Sequence, residues 1–412
     1  MNFLFLTDEY FPNFGANSLV VRAVCRQLTS WGHRVYVLPA GYDAVLPNRE
    51  DYEGVTVVRE LPVDSKHTMV EAAKNLRLIK AGEIFAMLLG SRLLGTHSLW
   101  HKRKVCARDY LERFIQENDI HTVVSINCSA ELSFPLLYLR EKGRLPCKWL
   151  FYMLDPFESH EYYRTHNPIN RLRAIQHRLM ENCDAVLATE LIYRDTAQWE
   201  TKAILDKFRI TEFPKIEEPV YTPAADDIPL VGQDLIHVVC TGTKNEAVRN
   251  SAYTLALCRN IPGAMFHFVG PGWAEKAPVK EDNLVFYPPC SYGAIRNMQR
   301  NANFLLNIGN IVENQLPSKV LEYITTGKPV INVYKVPNCP AKALLADWDA
   351  LNLSETEPLE LQRKRLQDFL MAEHAAVTFE TIESIYRQYT PQAVAENFAL
   401  QGRCCEGSSN GE

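Results

Sequence analysis

Short apolar runs alternate with segments of helical periodicity along most of the chain. At the start, residues 2–7 are apolar, residues 8–17 carry turn-forming side chains, residues 19–31 have helical spacing and residues 34–40 are apolar again. Strands that alternate with helices pair in parallel, so this pattern predicts a doubly wound α/β sheet. Further strands of the same sheet are predicted at residues 55–61, 122–127, 148–154 and 185–189.

The alternation stops at residues 213–232, which are rich in proline and contain paired acids. Such a stretch is typical of a linker between domains. The pattern then restarts, with strands predicted at residues 236–240, 265–269, 284–287, 304–308 and 329–333, and helices at residues 251–259, 292–301, 317–326, 358–389 and 391–400.

The pattern therefore predicts two Rossmann-like domains, residues 1–212 and residues 233–389, joined by the linker. The length of 412 residues agrees, because a single hydrophobic core rarely grows beyond about 250–300 residues. Residues 390–401 are predicted to form a short helix, and residues 402–412 a polar, disordered tail.

Composition and charge narrow the class of partner. The formal net charge of −5 argues against nucleic acid, because binding a phosphate backbone needs a basic surplus. The 11 cysteines are scattered singly, apart from Cys404 and Cys405, and lack zinc-binding spacing, which favours a reduced, cytoplasmic protein. The chain enters a strand at once and has no run of about 18 apolar residues, so we expect neither a secretory signal nor a spanning helix.

No pair of acids stands at the end of a predicted strand, where a metal site would be expected. Asp226 and Asp227 fall in the linker instead. We therefore expect no metal ion and no cofactor.

The segment IGNIVENQLPSKVLEYITTGKPVI, residues 308–331, is the most informative stretch. Pro317 stands where the first helical turn is predicted, and the free N–H groups and positive dipole end of such a turn suit a diphosphate. Ser318 and Lys319 lie four and three residues before Glu322, hence on one helix face, and Gly327 is predicted to end the helix. An ordinary amphipathic helix with one surface ion pair is the alternative.

PSKVLEYITTGKPVI resembles the PSK-x-x-EY-x-x-x-GKPVI segment of bacterial retaining GT-B glycosyltransferases, the group similar to glycosyltransferase family 4. The opening strand, glycine-containing loop and GH-x-V-x-V-L pattern resemble the start of that family, and CDAVLATE and FHFVGPG resemble later strands. The resemblance runs from residue 2 to about residue 400. It implies a GT-B architecture, with two Rossmann-like doubly wound domains facing a cleft and residues 390–401 crossing back to the first domain.

The resemblance also implies roles in binding a nucleoside-diphosphate sugar. Glu322 matches the second glutamate of an E-x7-E motif, which contacts the ribose, and Lys319 would balance the charge of the departing diphosphate. Asn314 stands where the first glutamate is expected, with Glu313 one position out of register, so the donor sugar stays open. Pro317 and Ser318 complete this part of the donor site.

The family's Arg/Lys pair after the first strand of the second domain is not matched in spacing. Gly242, Lys244 and Arg249 follow that strand, and Arg249 is a candidate replacement with Lys244 a weaker one. The alternative is that Lys244 and Arg249 are solvated cations of a loop, without a role in binding. In the first domain Gly15 lies in the loop after the first strand, where a missing Cβ lets a phosphate or sugar approach the backbone; an ordinary turn glycine is the alternative.

Acceptor-binding candidates follow a buried strand of the first domain. Asp155, Glu158 and His160 lie in LDPFESH, and residues 127–129 are a weaker candidate. Asp155 is also a candidate catalytic residue, with Lys319 and Arg249. The alternative for Asp155 and Pro156 is a helix N-cap followed by an N1 proline.

Residues 76–95, followed by HKRK, form an apolar and weakly cationic helical pattern. This pattern leaves open a peripheral contact with the inner face of a membrane, against the alternative of a core-facing helix.

The leading hypothesis is a retaining glycosyltransferase that moves a hexose or N-acetylhexosamine to a glycan or lipid-linked acceptor in surface polysaccharide assembly. A front-face displacement, assisted by the leaving phosphate, is the mechanism usually proposed for that group. A catalytically inactive relative acting as a sugar-binding or scaffolding subunit is the alternative. A nicotinamide-dependent oxidoreductase is disfavoured, because no GxGxxG follows the first strand of either half.

Overall fold

A computed structural model describes residues 1–12, 14–40, 45–60, 98–126, 130–158, 168–232, 234–246 and 248–403. Four predictions lie outside these residues: His160, residues 127–129, the cationic pattern at residues 76–95, and all but the first two residues of the tail at 402–412.

The chain forms two compact units. Unit 1 comprises Met1–Pro214 and Pro391–Glu412, and unit 2 comprises Lys215–Thr390. The described residues between 211 and 232, where the linker was predicted, contain no helix or strand.

Unit 1 is built on an eight-stranded sheet of order β3-β4-β2-β1-β5-β6-β7-β8. β3 forms an antiparallel hairpin with β4, and the other strands pair in parallel. Without β3 and β8, the strands follow the 3-2-1-4-5-6 order of a doubly wound fold. The strands are β1 Asn2–Thr7, β2 Arg34–Pro39, β3 Arg49–Tyr52, β4 Val55–Val58, β5 Thr122–Ile126, β6 Lys148–Met153, β7 Ala185–Ala188 and β8 Phe208–Ile210.

Helices of unit 1 connect these strands. The last of them follows the whole of unit 2 in the chain. They are α1 Ala16–Ser30, α2 Ser98–Glu117, α3 Ala130–Glu141, α4 Ile169–Asn182, α5 Glu190–Thr196, α6 Lys202–Leu205 and, at the end of the chain, α13 Pro391–Gly402.

Unit 2 repeats the arrangement in a seven-stranded sheet of order β11-β12-β10-β9-β13-β14-β15. β11 again forms an antiparallel edge hairpin, and the six parallel strands again follow the order 3-2-1-4-5-6. The strands are β9 Ile236–Thr241, β10 Ala264–Val269, β11 Val279–Glu281, β12 Leu284–Tyr287, β13 Phe304–Ile308, β14 Val330–Tyr334 and β15 Ala350–Ser354. The helices are α7 Ser251–Cys258, α8 Tyr292–Asn301, α9 Lys319–Ile324, α10 Pro340–Leu344, α11 Leu359–Leu370, α12 Phe379–Ile385 and a 3₁₀ turn Arg387–Tyr389.

The central strands are buried along nearly their whole length, because helices cover both faces of a parallel sheet. This explains why they read as continuous apolar runs. The predicted doubly wound α/β class is confirmed in both units.

The structure corrects several predicted element bounds. The short strands β3, β8, β11 and β15 were not predicted. Residues 358–389, predicted as one helix, form α11, α12 and the 3₁₀ turn. After α11 ends at Leu370, His374 holds the chain in a turn: its Nε2 donates to the Phe369 carbonyl at 2.8 Å, and its Nδ1 lies 2.7 Å from an Asp349 carboxylate oxygen. Within the described part of the chain, no helix combines the length and apolar character needed to cross a membrane.

Candidate functional site

The carboxyl ends of β9 and β13 form the topological switch point of unit 2. From β9 the chain first builds the sheet on one side, through β10 and β12, and then returns to place β13 on the other side. The loops after the two strands consequently leave in opposite directions, which opens a crevice where ligands of such sheets bind.

A recess lies at this switch point. Three residues predicted from the sequence, Gly242, Arg249 and Lys319, contribute to its wall. Its full lining is Cys240, Thr241, Gly242, Thr243, Arg249, Ser251, Trp273, Leu306, Asn307, Ile308, Lys319 and Tyr323. Two cationic side chains thus face one small space, which favours an anionic ligand.

Arg249 is held in place by a residue of the β13 loop. Its Nε donates to Asn310 Oδ1 at 3.2 Å, and Asn310 Nδ2 donates to the Gln315 carbonyl at 3.1 Å. The backbone N–H of Ile311 donates to the Val248 carbonyl at 2.9 Å. These bonds join the loops after β9 and β13, so that Arg249 is oriented rather than freely solvated.

The loop that contains Gly242 closely approaches the loop after β10, because Gly270 in that second loop has no Cβ. The φ of Gly242 is +126°, and Gly270 in the neighbouring loop has φ +133°. A Cβ on Gly270 would lie 2.5 Å from the Gly242 carbonyl oxygen, which also accepts a bond from Trp273 Nε1 at 2.8 Å. Lys244 lies outside the recess lining, with its Nζ 5.6 Å from the centre of the Trp273 ring.

The helix that carries Lys319 is shorter than predicted. It begins at Lys319 rather than at Pro317, because Ser318 is the N-cap and the chain first makes a tight turn in which Val320 N–H donates to the Pro317 carbonyl at 3.0 Å. The Ser318 hydroxyl makes no capping bond. Since α9 has six residues, its dipole is small, and the positive charge at its start comes mainly from the Lys319 amine. Neither Pro317 nor Ser318 lines the recess.

Glu322 lies one turn further, with 6% of its surface exposed. Its Oε2 accepts a bond from Lys319 Nζ at 2.8 Å, and its Oε1 lies 3.8 Å from Lys215 Nζ. Burial by itself raises the pKa of the Glu322 carboxyl, yet the two lysines outweigh burial and hold this pKa below its ordinary value. Glu322 is therefore an ionised carboxylate, able to accept hydrogen bonds from hydroxyl groups.

Buried polar contacts fix α9 against the sheet and α8. Tyr323 Oη accepts from the Thr241 N–H at 2.8 Å. Arg296 donates to the Glu322 backbone carbonyl at 3.2 Å and to Thr325 Oγ1 at 3.1 Å. The ion pair of Lys319 and Glu322 consequently stands on a rigid base next to the end of β9.

Neither Glu322 nor the loop before α9 supplies a carboxylate to the lining of the recess. Asn314 is half-buried and does not line it. The carboxylate of Glu313 accepts bonds from the backbone N–H and side-chain amide of Asn338 at 3.2 and 3.1 Å. Glu313 is therefore engaged elsewhere and does not replace the missing first glutamate in this conformation.

In unit 1, Gly15 and Asp155 lie near the carboxyl ends of β1 and β6. Gly15 is the N-cap of α1, with an ordinary extended conformation at φ −82°. A Cβ there would lie 3.2 Å from a Glu9 carboxylate oxygen, which is tight but tolerable. Asn17, in the first turn of α1, donates from Nδ2 to Asp155 Oδ2 at 3.4 Å. No helix begins in the described residues from Asp155 to Glu158.

Glu158 is buried, and its carboxylate accepts a bond from Arg173 Nε. Burial raises the pKa of the Glu158 carboxyl above its ordinary value, Arg173 opposes the rise, and Asp195 adds to it. The preceding Phe157 N–H donates to Gln176 Oε1 at 3.0 Å. Glu158 is thus tied to α4, whereas Asp155 is less buried.

Acidic pairs do not gather into a metal site in the described ranges, where no cluster of three or more His, Cys, Asp or Glu side chains could hold an ion. Asp226 accepts bonds from Ser291 N–H and Oγ, both at 2.6 Å, and Asp227 accepts from Asn297 at 2.7 Å. Both linker acids therefore hold the chain to α8.

Sequence reasoning missed Lys215, Arg296 and Asn310. Lys215 and Arg296 lie 107 and 26 residues before Glu322, and Asn310 lies 61 residues after Arg249. Only Asn310 gave a local signal, since IGN directly follows a buried strand.

Solved structures share this architecture over almost the whole chain. Sucrose-phosphate synthase from Thermosynechococcus elongatus matches with a TM-score of 0.64 at 12% identity, covering 97% of this chain and 98% of its own. WaaG, a glycosyltransferase involved in lipopolysaccharide biosynthesis, matches with a TM-score of 0.54 at 13% identity, covering 96% and 98%. Both are GT-B proteins. This chain has the GT-B fold.

A third GT-B match is Anabaena Alr3699/HepE in complex with UDP-glucose, with a TM-score of 0.55 at 13% identity, covering 96% of this chain and 95% of its own. At such identities the similarity shows the fold alone. No protein-family model and no curated protein sequence matches the chain. The expected GT-B architecture is thus confirmed by structure and not by sequence similarity.

Proposed function

We propose that this chain is a glycosyltransferase that uses a nucleoside-diphosphate sugar as donor. The observation that carries the proposal is the recess at the switch point of unit 2, where Arg249 and Lys319 face one space and Lys319 pairs with the buried Glu322. On a GT-B fold, cations and a hydroxyl-accepting carboxylate at this point suit a nucleotide with an attached sugar. The UDP-glucose bound by the Anabaena protein is consistent with this class of donor.

Each residue has a chemical role in the proposal. Lys319 and Arg249 stabilise the negative charge that develops on the departing diphosphate, and Glu322 accepts bonds from the ribose hydroxyls. Gly242 lets the ligand approach the backbone. Glu322 and four further donor-site candidates do not line the recess and stay as outer candidates for the donor site: Lys244, Asn314, Pro317 and Ser318.

The finer parts of the proposal rest on the resemblance of residues 317–331 to retaining enzymes. We infer transfer of a hexose or N-acetylhexosamine with retention, by front-face displacement and without a metal ion. The acceptor is a glycan or lipid-linked saccharide of surface polysaccharide assembly, reached from the cytoplasm or the inner face of a membrane. Asp155 and Glu158 in unit 1 are the acceptor candidates among the described residues, and Asp155 is also a candidate catalytic residue.

The test is turnover of a panel of UDP-, GDP-, ADP- and dTDP-sugars, measured as release of the nucleoside diphosphate. We expect Lys319→Ala and Glu322→Ala each to lower kcat/KM for the preferred donor at least about tenfold, or about 1.4 kcal/mol. Lys364→Ala is the matched control, because Lys364 is exposed on α11 and far along the chain from the recess lining.

Wild-type turnover in both folded variants would contradict the assigned site. If the protein binds a nucleoside diphosphate tightly but releases no product from any donor, the result would favour the inactive, scaffolding relative over the enzyme.

A further inference from the structure

Lys215 is a largely buried lysine that the proposed function does not use. It lies at the start of unit 2, where its own N–H and that of Ile216 both donate to the Tyr389 carbonyl at 2.9 Å. Its side chain is 11% exposed. A lysine rarely loses its hydration without a partner, so this position calls for an explanation.

The partner is the Glu322 carboxylate, which faces a different lysine with each oxygen. Oε2 accepts from Lys319 Nζ at 2.8 Å, and Oε1 lies 3.8 Å from Lys215 Nζ. The two lysines differ in access: the Lys319 side chain is 26% exposed and lines the recess, whereas Lys215 is buried and does not line it. Of the two lysines, only Lys319 therefore borders the space that a ligand of the recess would occupy.

Other charges nearby do not take the place of Lys215. Arg296 is the third cation close to Glu322, but its guanidinium donates to neutral oxygens of Gln299, Glu322 and Thr325. Glu217, two residues along the chain, is a second carboxylate close enough to affect the charge of Lys215. The Glu322 carboxylate itself therefore faces two lysines, of which Lys319 is the more exposed and Lys215 the more buried.

This arrangement matters when an anion enters the recess. If Lys319 turned to the phosphates and were the sole partner, Glu322 would remain as a buried and uncompensated charge, which proteins strongly disfavour. Lys319 would then be retained by Glu322 at the expense of the ligand. A second, more buried lysine removes this competition.

We propose that Lys215 is a positioning residue that pairs with the Glu322 carboxylate and thereby releases Lys319 to bind the phosphates of the ligand. The inference rests on the proposed function, because it assumes a nucleoside diphosphate in the recess. It goes beyond that function by giving the two lysines different roles.

The first experiment compares a nucleoside diphosphate with its nucleoside. UDP, GDP, ADP and dTDP are compared by calorimetry on the wild type, and the preferred one is taken forward with its nucleoside, for example UDP with uridine. In Lys215→Met we expect diphosphate binding to weaken at least about tenfold, while nucleoside binding changes less than about threefold. Lys215→Arg keeps the charge and is expected to retain most of the diphosphate affinity.

The second experiment is a double-mutant cycle with Glu322→Gln. A neutral glutamine needs no second cation, so Lys215→Met is expected to change diphosphate affinity less than about twofold when it is added to Glu322→Gln. This cycle also provides a test if Lys215→Met alone fails to fold, because the double variant leaves no buried carboxylate with a single partner.

The outcomes distinguish the role of Lys215 from the proposed function of the protein. Equal weakening of diphosphate and nucleoside, unchanged diphosphate affinity in folded Lys215→Met, or a full effect in the presence of Glu322→Gln would each overturn the role of Lys215 while leaving the proposed function in place. A lowered melting temperature with unchanged affinities would mean a structural role only, and would overturn it too. Failure of the wild type to bind any nucleoside diphosphate would overturn the proposed function, and this inference with it.

Discussion

Asn310 joins the loops after β9 and β13, which are distant in the sequence and meet beside the recess. It is buried, and its two amide atoms face different partners, Arg249 on one side and the Gln315 carbonyl on the other. Without this amide, Arg249 would lose its fixed orientation and the loop before α9 would lose a bond to its start. The consequence should be poorer donor binding and not loss of the fold.

We expect Asn310→Ala to lower kcat/KM for the preferred donor about fivefold, the equivalent of one net hydrogen bond of about 1 kcal/mol, and chiefly by raising KM. Steady-state kinetics over a range of donor concentrations would measure the change. Asn338→Ala is the matched control, because this exposed amide donates to Glu313 and not to a residue of the recess wall. A larger loss for Asn338→Ala would show that Glu313, once released or misplaced, matters more than Arg249.

A second feature at the scale of residues is a buried pair of histidines in unit 2. His237 Nε2 faces the Gly232 carbonyl at 3.1 Å and therefore donates, which leaves Nδ1 as an acceptor. His267 Nε2, 3.0 Å away, must then donate to it, and His267 Nδ1 accepts from the Tyr287 hydroxyl at 3.0 Å. Two neutral rings can form all three of these hydrogen bonds.

Stability should therefore fall in acid. Burial, with a smaller effect of His237, lowers the pKa of His267 from 6.5 to about 4. Because the unfolded ring binds a proton below pH 6.5 and the folded ring does not until about pH 4, the stabilisation is complete above pH 6.5 and is lost as the pH falls through this window. Between about pH 7 and about pH 5 the loss is about 2 kcal/mol.

Urea unfolding of the wild type and of His267→Gln at about pH 7 and about pH 5 would measure this contribution. The glutamine keeps hydrogen-bonding atoms but does not titrate. Between the two pH values, the free energy of unfolding of His267→Gln should therefore fall by about 2 kcal/mol less than that of the wild type. An identical pH dependence in the two proteins would contradict a depressed pKa of His267.

At the scale of elements, Gly327 lies in the turn that follows α9, and it is not the predicted C-cap, because the helix already ends at Ile324 with Thr325 as its C-cap. The φ of Gly327 is +73°, and its N–H donates to the Ile324 carbonyl at 3.0 Å. A Cβ at this position would lie 2.4 Å from the Val377 carbonyl oxygen. Two physical costs therefore meet at one residue, an unfavourable backbone conformation and a clash with a neighbouring backbone.

Gly327→Ala is expected to destabilise unit 2 by more than about 3 kcal/mol, because a left-handed alanine alone costs about 1–2 kcal/mol and the clash adds to it. Gly263→Ala is the matched control: its φ is +71°, but the nearest atom is the flexible end of Met371 at 3.8 Å, so only the backbone cost applies. Thermal unfolding of both variants would measure the difference, and equal melting temperatures would show that the Val377 backbone moves away easily.

The elements that sequence predicts well are those whose pattern is local. The central strands are continuous apolar runs because both faces of each sheet are covered, and the shared face of Lys319 and Glu322 follows from helix geometry alone. The edge strands β3 and β11 gave no such pattern, since half or more of each is exposed. Their position in a sheet depends on a hairpin partner rather than on their own residues.

The site is predicted less completely than the fold for a related reason. Lys319, Arg249 and Gly242 stand in or next to loops that follow strands, so position in the pattern pointed to them. Lys215 and Asn310 act through partners that are distant in the sequence, and only Asn310 has a local signal, its position just after a buried strand. Only the packed structure shows that Lys215 is more buried than Lys319.

On the scale of the whole molecule, the chain leaves unit 1 at Pro214 and comes back to it at Pro391. The returning helix α13 completes the core of unit 1: the ring of Phe398 lies 5.8 Å from that of Phe5 in β1 and 5.1 Å from that of Tyr152 in β6, measured between ring centres. Near its end, the Thr122 hydroxyl donates to the Gly402 carbonyl at 3.2 Å. Helix α13, near the end of the chain, thus packs against strand β1 near its beginning.

This connection makes a change near the end of the chain act on its first strand. Phe398 is fully buried, so Phe398→Ala should leave a cavity and destabilise unit 1 by about 3–5 kcal/mol. Hydrogen exchange should then quicken in peptides that contain Asn2–Thr7 and Lys148–Met153, both far from Phe398 in the sequence. Leu366→Ala, an equally buried change in the core of unit 2, should instead quicken exchange in Ile236–Thr241. If Phe398→Ala left the unit 1 strands protected, α13 would be a peripheral helix, and the core of unit 1 would be complete without the returning chain.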